Sequence, residues 1–217
     1  MLTDLQVRVR HIVGQLPESE QFALSGGAAL VVSGIVHRPT NDLDFFAAYP
    51  HQVGELLDAA QAALEGADME VTRIAEGPTF ARLRVSSGGD TTYLDLASDY
   101  RLKAPVATDE GFVLAEDELA ADKVLALTDR AEVRDFVDFE RLAARYDIDS
   151  LCELAASKDG GFRREHLAGA LAHFDKITPT MFDAYTDDYE ALRHHIATAR
   201  NSLQASAREG PSLSNWL

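Results

Sequence analysis

Apolar residues recur at helical spacing almost from the first position. Leu5, Val9, Ile12, Val13 and Leu16 fall on one face of a helix predicted over 4–16. Thr3 and Gln6 open it in capping-box relation, and Pro17-Glu18-Ser19-Glu20 closes it. The period then changes. Phe22-Ala23-Leu24 is a short apolar run that meets Ser25-Gly26-Gly27, and Ala28 to Val32 follow as a short helix stopped by Gly34. After the polar loop His37-Arg38-Pro39-Thr40-Asn41, the run Asp42-Leu43-Asp44-Phe45-Phe46 alternates with period two at its start, the mark of a strand with one buried face. The aromatic pair Phe45/Phe46 reads as core. A helix over 52–64, a strand over 69–74, and a hairpin of strands over 80–85 and 91–96 around Ser87-Gly88-Gly89-Asp90 complete the first half. From Pro105 onward the pattern is helical, with helices over 116–128, 132–146, 150–156, 164–174 and 188–207. Thr178-Pro179 starts a helical turn between the last two. The apolar face of the last helix reads as core, and Trp216 beyond it either docks back or frays. The expected class is therefore α+β: a mixed sheet with helices over 1–108, then an α-helical bundle over 109–217.

Composition narrows what such a chain can do. At 217 residues and 46% hydrophobic, it has enough apolar mass for a proper core. The formal charge of −16 argues against coating nucleic acid through bulk charge, so any RNA contact must come from clustered arginines. No apolar run approaches the roughly 18 residues of a membrane span, and the most apolar stretch, 23–36, is broken by Ser25, Gly26, Gly27, Ser33 and Gly34. Met1-Leu2-Thr3-Asp4 lacks a signal-peptide pattern, and Cys152 is the single cysteine. Together these predict a cytoplasmic protein with no membrane partner.

The chemistry starts at Asp42 and Asp44. Side chains at i and i+2 leave a strand on the same face, and two carboxylates side by side repel unless a cation lies between them. Mg²⁺ suits that pair, because it is commonly held by one or two carboxylates with water and substrate phosphates filling the other positions. Asp-x-Asp alone is also common in surface turns. Gly26-Gly27 lies about fifteen residues upstream, between a strand and a helix, where bare backbone amides can approach a phosphate. Asp95 lies between Leu94 and Leu96 and is the candidate third carboxylate, as a metal ligand or as proton acceptor for an attacking hydroxyl. Arg38 and Thr40 are placed to reach a triphosphate, though Arg38 equally suits a salt bridge. In the helical half, Lys123 stands among Leu119, Val124 and Leu127, and Asp135 and Asp138 share a face at i, i+3 beside Arg130, Arg134 and Arg141.

Together these segments resemble the nucleotidyltransferase superfamily typified by DNA polymerase β, and more closely its AbiEii-type branch, which includes the MenT toxins. The resemblance rests on Ser25-Gly26-Gly27-Ala28-Ala29-Leu30, on Arg38-Pro39-Thr40-Asn41-Asp42-Leu43-Asp44-Phe45-Phe46, on Lys123-x-x-Ala126-Leu127-x-x-Arg130 and on Arg134-Asp135-x-x-Asp138. It implies a polymerase-β-like sheet domain followed by a helical domain. It implies that Ser25, Gly26, Gly27, Arg38 and Thr40 line the triphosphate of an NTP, that Asp42 and Asp44, with Asp95 in the third-carboxylate strand, bind Mg²⁺, that Lys123 contacts the phosphates, and that Asp138 or Asp135 completes the site. Many relatives carry Ser or Thr after the glycines; here the residue is Ala28, so that hydroxyl is missing.

Among MenT-type relatives the implied activity is transfer of a nucleotide from an NTP to the 3′ end of tRNA, and the implied partner is a cognate antitoxin. The tRNA acceptor end would need a basic surface, for which Arg130, Arg134, Arg141, Arg145, Arg163 and Arg164 with His194 and His195 are candidates. Two other readings stand beside this one. The acceptor is a protein hydroxyl or an aminoglycoside-like small molecule, or the fold is a degenerate nucleotide-binding module without catalysis.

Overall fold

The computed structural model describes residues 1–49 and 52–208. Trp216 lies outside the described residues. The chain divides into two compact units, Met1–Leu119 and Ala120–Leu217.

The first unit is built on a seven-stranded mixed sheet. Its strands are β1 (Phe22–Ser25), β2 (Asp42–Ala47), β3 (Glu70–Glu76), β4 (Phe80–Ser87), β5 (Asp90–Ser98), β6 (Val106–Thr108) and β7 (Gly111–Val113), in the order β3-β4-β5-β2-β1-β7-β6. β2 is central, antiparallel to β1 and parallel to β5. Period-two alternation puts Leu43 and Phe45 of β2, Leu83 and Val85 of β4, and Leu94 and Leu96 of β5 on one fully buried face. Two helices cover that face. Helix α1 (Asp4–Gly14) contributes Leu5, Val9 and Val13, and α3 (Val53–Gly66) contributes Leu56, Leu57, Ala60 and Leu64. The capping box at Thr3 forms as expected, with both reciprocal bonds present. A short helix α2 (Gly26–Val32) follows β1 and ends at Gly34, whose φ of +68° is natural only to glycine.

Two expectations need correction here. The segment after Pro105 is not helical throughout: β6 and β7 form a hairpin, and β7 adds to the sheet beside β1 in parallel. The hairpin is clamped to α1, where Arg10 lies 2.6 Å from Glu110 and Gln15 donates to the Asp109 carbonyl at 3.1 Å. The sheet unit therefore runs to Leu119, past the predicted division at 108 and into α4 (Glu116–Asp129). Glu118 belongs to it, accepting from the backbone N–H groups of Leu102 and Lys103 at 2.9 Å each. The second correction is Phe46. Phe45 is core, but Phe46 is half-buried on the opposite face of β2, in phase with Asp42 and Asp44.

The second unit is helical: the rest of α4, then α5 (Val133–Ala143), α6 (Ile148–Lys158), α7 (Arg164–His173) and α8 (Tyr189–Arg208), with a 3-10 turn at Pro179–Phe182 whose proline stands in its first turn. Phe136, Phe174, Phe182 and Tyr189 form its aromatic core, with ring centroids 5.0 to 6.4 Å apart. Leu192, Ile196, Ala199 and Leu203 form the buried stripe of α8. Among the described residues no helix is long and apolar enough to cross a membrane.

Candidate active site

On the face of β2 opposite Leu43 and Phe45, Asp42 and Asp44 stand side by side, each half-buried, because Leu43 and Phe45 are drawn into the core between and beyond them. The β1–β2 register sets Ser25 opposite Asp44. The chain then turns sharply at Gly26, whose φ is +61°. A Cβ on Gly26 would fall 1.9 Å from Asp44 Oδ2 and 2.8 Å from its Cγ. This is a cradle that only glycine leaves open, with bare backbone against a carboxylate oxygen. At Gly27 a Cβ would lie 2.9 Å from Arg38 Nη2 and 3.0 Å from Thr40 Oγ1, so the loop before β2 packs against the second glycine. The Thr40 hydroxyl donates to Asp42 Oδ1 at 3.0 Å. Ser25, Gly26, Gly27, Arg38, Thr40, Asp42 and Asp44 are thus brought together as one local assembly.

The loop that supplies Arg38 and Thr40 is held from behind by α1. Gln6 is buried; its amide donates to the Thr40 carbonyl at 2.9 Å and to the Thr92 hydroxyl at 3.2 Å, while its Oε1 accepts from Thr3 N at 2.9 Å. Thr92 in turn donates to the Asn41 carbonyl at 3.1 Å. Arg38 is almost wholly buried, and its own carbonyl accepts from the N-terminal ammonium at 2.7 Å. From the sequence alone Gln6 reads only as a helix cap.

Asp95 stands directly beside Asp44 in the parallel β2–β5 register. Both of its oxygens are engaged by Arg82 of β4, through Nε at 2.6 Å and Nη2 at 2.5 Å. The hydrogen bond to Asp95 is the main cause that pushes the Arg82 guanidinium above its ordinary range, and the charges of Asp95, Asp42 and Asp44 add to it against the effect of burial. The third carboxylate is therefore charge-paired. Among the described residues no three His, Cys, Asp or Glu side chains converge as a metal cage. Asp42 and Asp44 still suit Mg²⁺, which needs only one or two carboxylates when phosphates and water complete its shell.

Arg82 escaped the sequence reading, yet a signal for it was present. Gly88 and Gly89 both have positive φ, so the hairpin closes in a two-residue turn. Pairing Ser87 with Asp90 across that turn fixes every later pair, including Arg82 with Asp95.

In the second unit, Lys123 Nζ lies 2.9 Å from Asp138 Oδ2 and 3.9 Å from Asp135 Oδ1, all three side chains being buried. Asp135 is otherwise occupied. It takes Arg130 Nε and Nη2 at 2.9 and 3.0 Å and caps α5 by accepting from Glu132 N at 3.2 Å. Of the two acids, Asp138 is the lysine's partner. The arginines proposed as a basic groove are engaged locally: Arg134 with Glu132, Arg141 with Glu140, Arg164 with Asp149, and Arg163 with the carbonyls of Gly160 and Phe162. His195 Nδ1 lies 2.8 Å from Glu140.

A model of the AbiEii family, described as nucleotidyl transferase AbiEii toxin of type IV toxin–antitoxin systems, matches residues 10–209. No curated protein matches the sequence. In fold the chain is similar to MenT4, a nucleotidyltransferase toxin from Mycobacterium tuberculosis, at 19% identity, covering 91% of this chain and 82% of that one with a TM-score of 0.61. It is also similar to JHP933 from Helicobacter pylori, at 15% identity, covering 96% of each chain with a TM-score of 0.58. The α+β expectation, a mixed nucleotidyltransferase sheet followed by helices, is met.

Proposed function

Because the chain belongs to the AbiEii family of nucleotidyltransferase toxins of type IV toxin–antitoxin systems, we propose that it transfers a nucleotide from an NTP to the 3′ end of tRNA in a Mg²⁺-dependent reaction, and that a cognate antitoxin restrains it. In that reaction an acceptor hydroxyl oxygen bonds to the α-phosphorus of the NTP. The bond from that phosphorus to the bridging oxygen breaks, pyrophosphate leaves, and the hydroxyl proton passes to a carboxylate or water. Positioning and charge neutralisation carry such a transfer, with little covalent work for the protein.

The observation that carries this reading is the cradle itself: Gly26 leaves no room for a side chain against Asp44 Oδ2, and Asp42 and Asp44 face the same way. In the proposal Asp42 and Asp44 hold Mg²⁺, and Asp95 stands next to them as the paired third acid. Bound there, the ion would neutralise charge on the triphosphate and on the departing pyrophosphate. Gly26 and Gly27 admit the phosphates to the backbone, Arg38 and Thr40 back the second glycine, and Thr40 orients Asp42 through its hydroxyl. Lys123 is assigned to the nucleotide phosphates and Asp138 to holding that lysine.

The test is incubation of the purified protein with Mg²⁺, each labelled NTP in turn, total RNA and a protein extract. Label is expected on the tRNA 3′ end, and is expected to disappear with EDTA and in the Asp42→Ala/Asp44→Ala protein. Label on protein or a small molecule instead would transfer the proposal to that acceptor. Equal labelling by the double variant would end it.

A further inference from the structure

The face of the sheet that carries Asp42 and Asp44 continues onto β5 and β4, and the registers lay it out as three rows. Asp42 stands beside Tyr93 and then Arg84; Asp44 beside Asp95 and then Arg82; Phe46 beside Ala97 and then Phe80. Residues paired in this way share a face. Tyr93 and Phe80 are among the few large apolar side chains left exposed, at 37% and 39%. The Arg82 guanidinium lies between their rings, 5.6 Å from the Tyr93 centroid and 5.8 Å from that of Phe80. Arg84 is exposed at the end of the first row. Exposed rings and planar guanidinium groups interleaved on an open sheet are the elements that bind unpaired bases by stacking and their phosphates by charge. In a chain of charge −16 their concentration on this one face is selective, because most of the strongly acidic surface repels a polyanion.

We infer that this face is the acceptor platform: an unpaired RNA 3′ end stacks on Tyr93 and Phe80, with Arg82 and Arg84 taking its backbone, and its terminal hydroxyl is thereby delivered to the Asp42/Asp44 edge. The inference rests on the nucleotidyl-transfer reading and names the surface that reading lacks. Tyr93 is one strand spacing, ~4.8 Å, from Asp42, so a nucleotide stacked there already borders the carboxylates. Double-stranded RNA has no free base faces to offer the rings, so the platform selects single-stranded ends. Arg82 has a second duty. By holding Asp95 it sets the guanidinium plane between the two rings, so the ion pair at the third-carboxylate position also organises the stacking surface.

Fluorescence anisotropy with a short 5′-labelled single-stranded oligoribonucleotide and a blunt RNA duplex tests this. The wild-type protein should prefer the single strand. Tyr93→Ala and Phe80→Ala should each weaken binding about tenfold, whereas Tyr93→Phe should bind as wild type. Arg84→Ala should weaken binding and lower the salt slope by about 0.7. In transfer assays the two alanine variants should raise KM for the acceptor with kcat retained, and calorimetric affinity for NTP with Mg²⁺ should not move. Circular dichroism and the Tyr93→Phe control separate lost stacking from lost fold. Ring variants that bind the single strand as tightly as wild type, or a duplex bound equally well, would overturn the platform. If instead the wild-type protein binds RNA through these rings but transfers no nucleotide, the chemistry is wrong and the platform stands.

Discussion

The Cβ that Gly26 lacks would fall 1.9 Å from Asp44 Oδ2, far closer than two unbonded atoms approach. Backbone conformation and close approach thus both demand glycine at one position. Gly26→Ala should pay twice, about 1–2 kcal/mol for a side chain at φ +61° and a further cost to displace the Asp44 carboxylate. Gly34 provides the control, having φ +68° and nothing within 4 Å of its missing Cβ. Gly34→Ala should lower the melting temperature alone, while Gly26→Ala should also lose calorimetric binding of NTP with Mg²⁺. Equal binding by the two variants would remove the cradle from the site.

Asp42 and Asp44 repel each other across two residues of one strand, so removing one charge relieves strain that a cation would otherwise relieve. Asp44→Asn is expected to fold in EDTA, the lost attraction to Arg82 offsetting the relieved repulsion. Adding Mg²⁺ with an NTP should raise the melting temperature of wild type through binding to the native state, and should not raise that of Asp44→Asn. Transfer should fall at least 10²–10³-fold, the scale of losing a preorganised charge at a reacting phosphate. Thermal melts with and without the ligands, beside a radiolabel assay, measure both halves.

Lys123 and Asp138 make opposing predictions about fold and function. Both are buried, so Lys123→Met takes the cation away from a buried carboxylate and should cost about 3–5 kcal/mol. The double substitution Lys123→Met/Asp138→Leu removes both charges and should recover most of that stability. If the lysine serves the nucleotide, the rescued protein remains inactive. A double variant that is stable and fully active would reduce the pair to a structural ion pair.

The legible parts of this molecule were those in which a local period decided the outcome. Asp42-Leu43-Asp44 could be read because a strand alternates faces every residue, and Thr3/Gln6 because a cap is three residues long. Phe46 departs from the expected core because its hydrophobicity argues for burial while its phase puts it with the aspartates, and phase prevails. The hairpin of β6 and β7 has three residues per strand and no alternation over Val106-Ala107-Thr108; its support comes from Gly14, Arg10 and Leu24, remote in sequence. Which of Asp135 and Asp138 pairs with Lys123 depends on which acid Arg130 takes, a tertiary fact that i, i+3 spacing does not contain.

Cys152 is buried on α6, and that burial pushes its thiol above the ordinary value of 9.0, with Arg164 opposing and Asp149 and Glu153 reinforcing. The folded state favours the protonated thiol. Its contribution to stability is complete below the unfolded pKa and is lost as pH rises through the folded one. Alkylation by iodoacetamide near pH 7 should therefore be far slower in the native protein than in urea. Raising the pH above about 9 should lower the urea midpoint of wild type more than that of Cys152→Ala. A thiol that reacts equally fast in buffer and in urea would contradict the burial.

Gln6 gives the sharpest separation of helix capping from site assembly. Its Oε1 completes the cap with Thr3 N, while its amide holds the Thr40 carbonyl and the Thr92 hydroxyl in a buried cluster. Thr3→Ala removes only the cap and should cost about 1 kcal/mol, with transfer unchanged. Gln6→Leu removes the other half of the box, the bond from Thr3 N, and leaves the Thr40 carbonyl without that donor inside the protein, a further ~1–3 kcal/mol. The freed loop carries Thr40, whose hydroxyl orients Asp42, and Arg38, which backs Gly27. A loop that shifts by a fraction of an ångström displaces both, so Gln6→Leu should also lower kcat at temperatures where it remains fully folded. Gln6→Glu keeps the oxygen for the cap and loses the donors to Thr40 and Thr92, so it should resemble Gln6→Leu in activity and the wild-type protein in capping. Circular dichroism melts paired with single-turnover transfer rates distinguish the cases. A Gln6→Leu protein that is folded and as fast as wild type would show that the loop needs no support from α1.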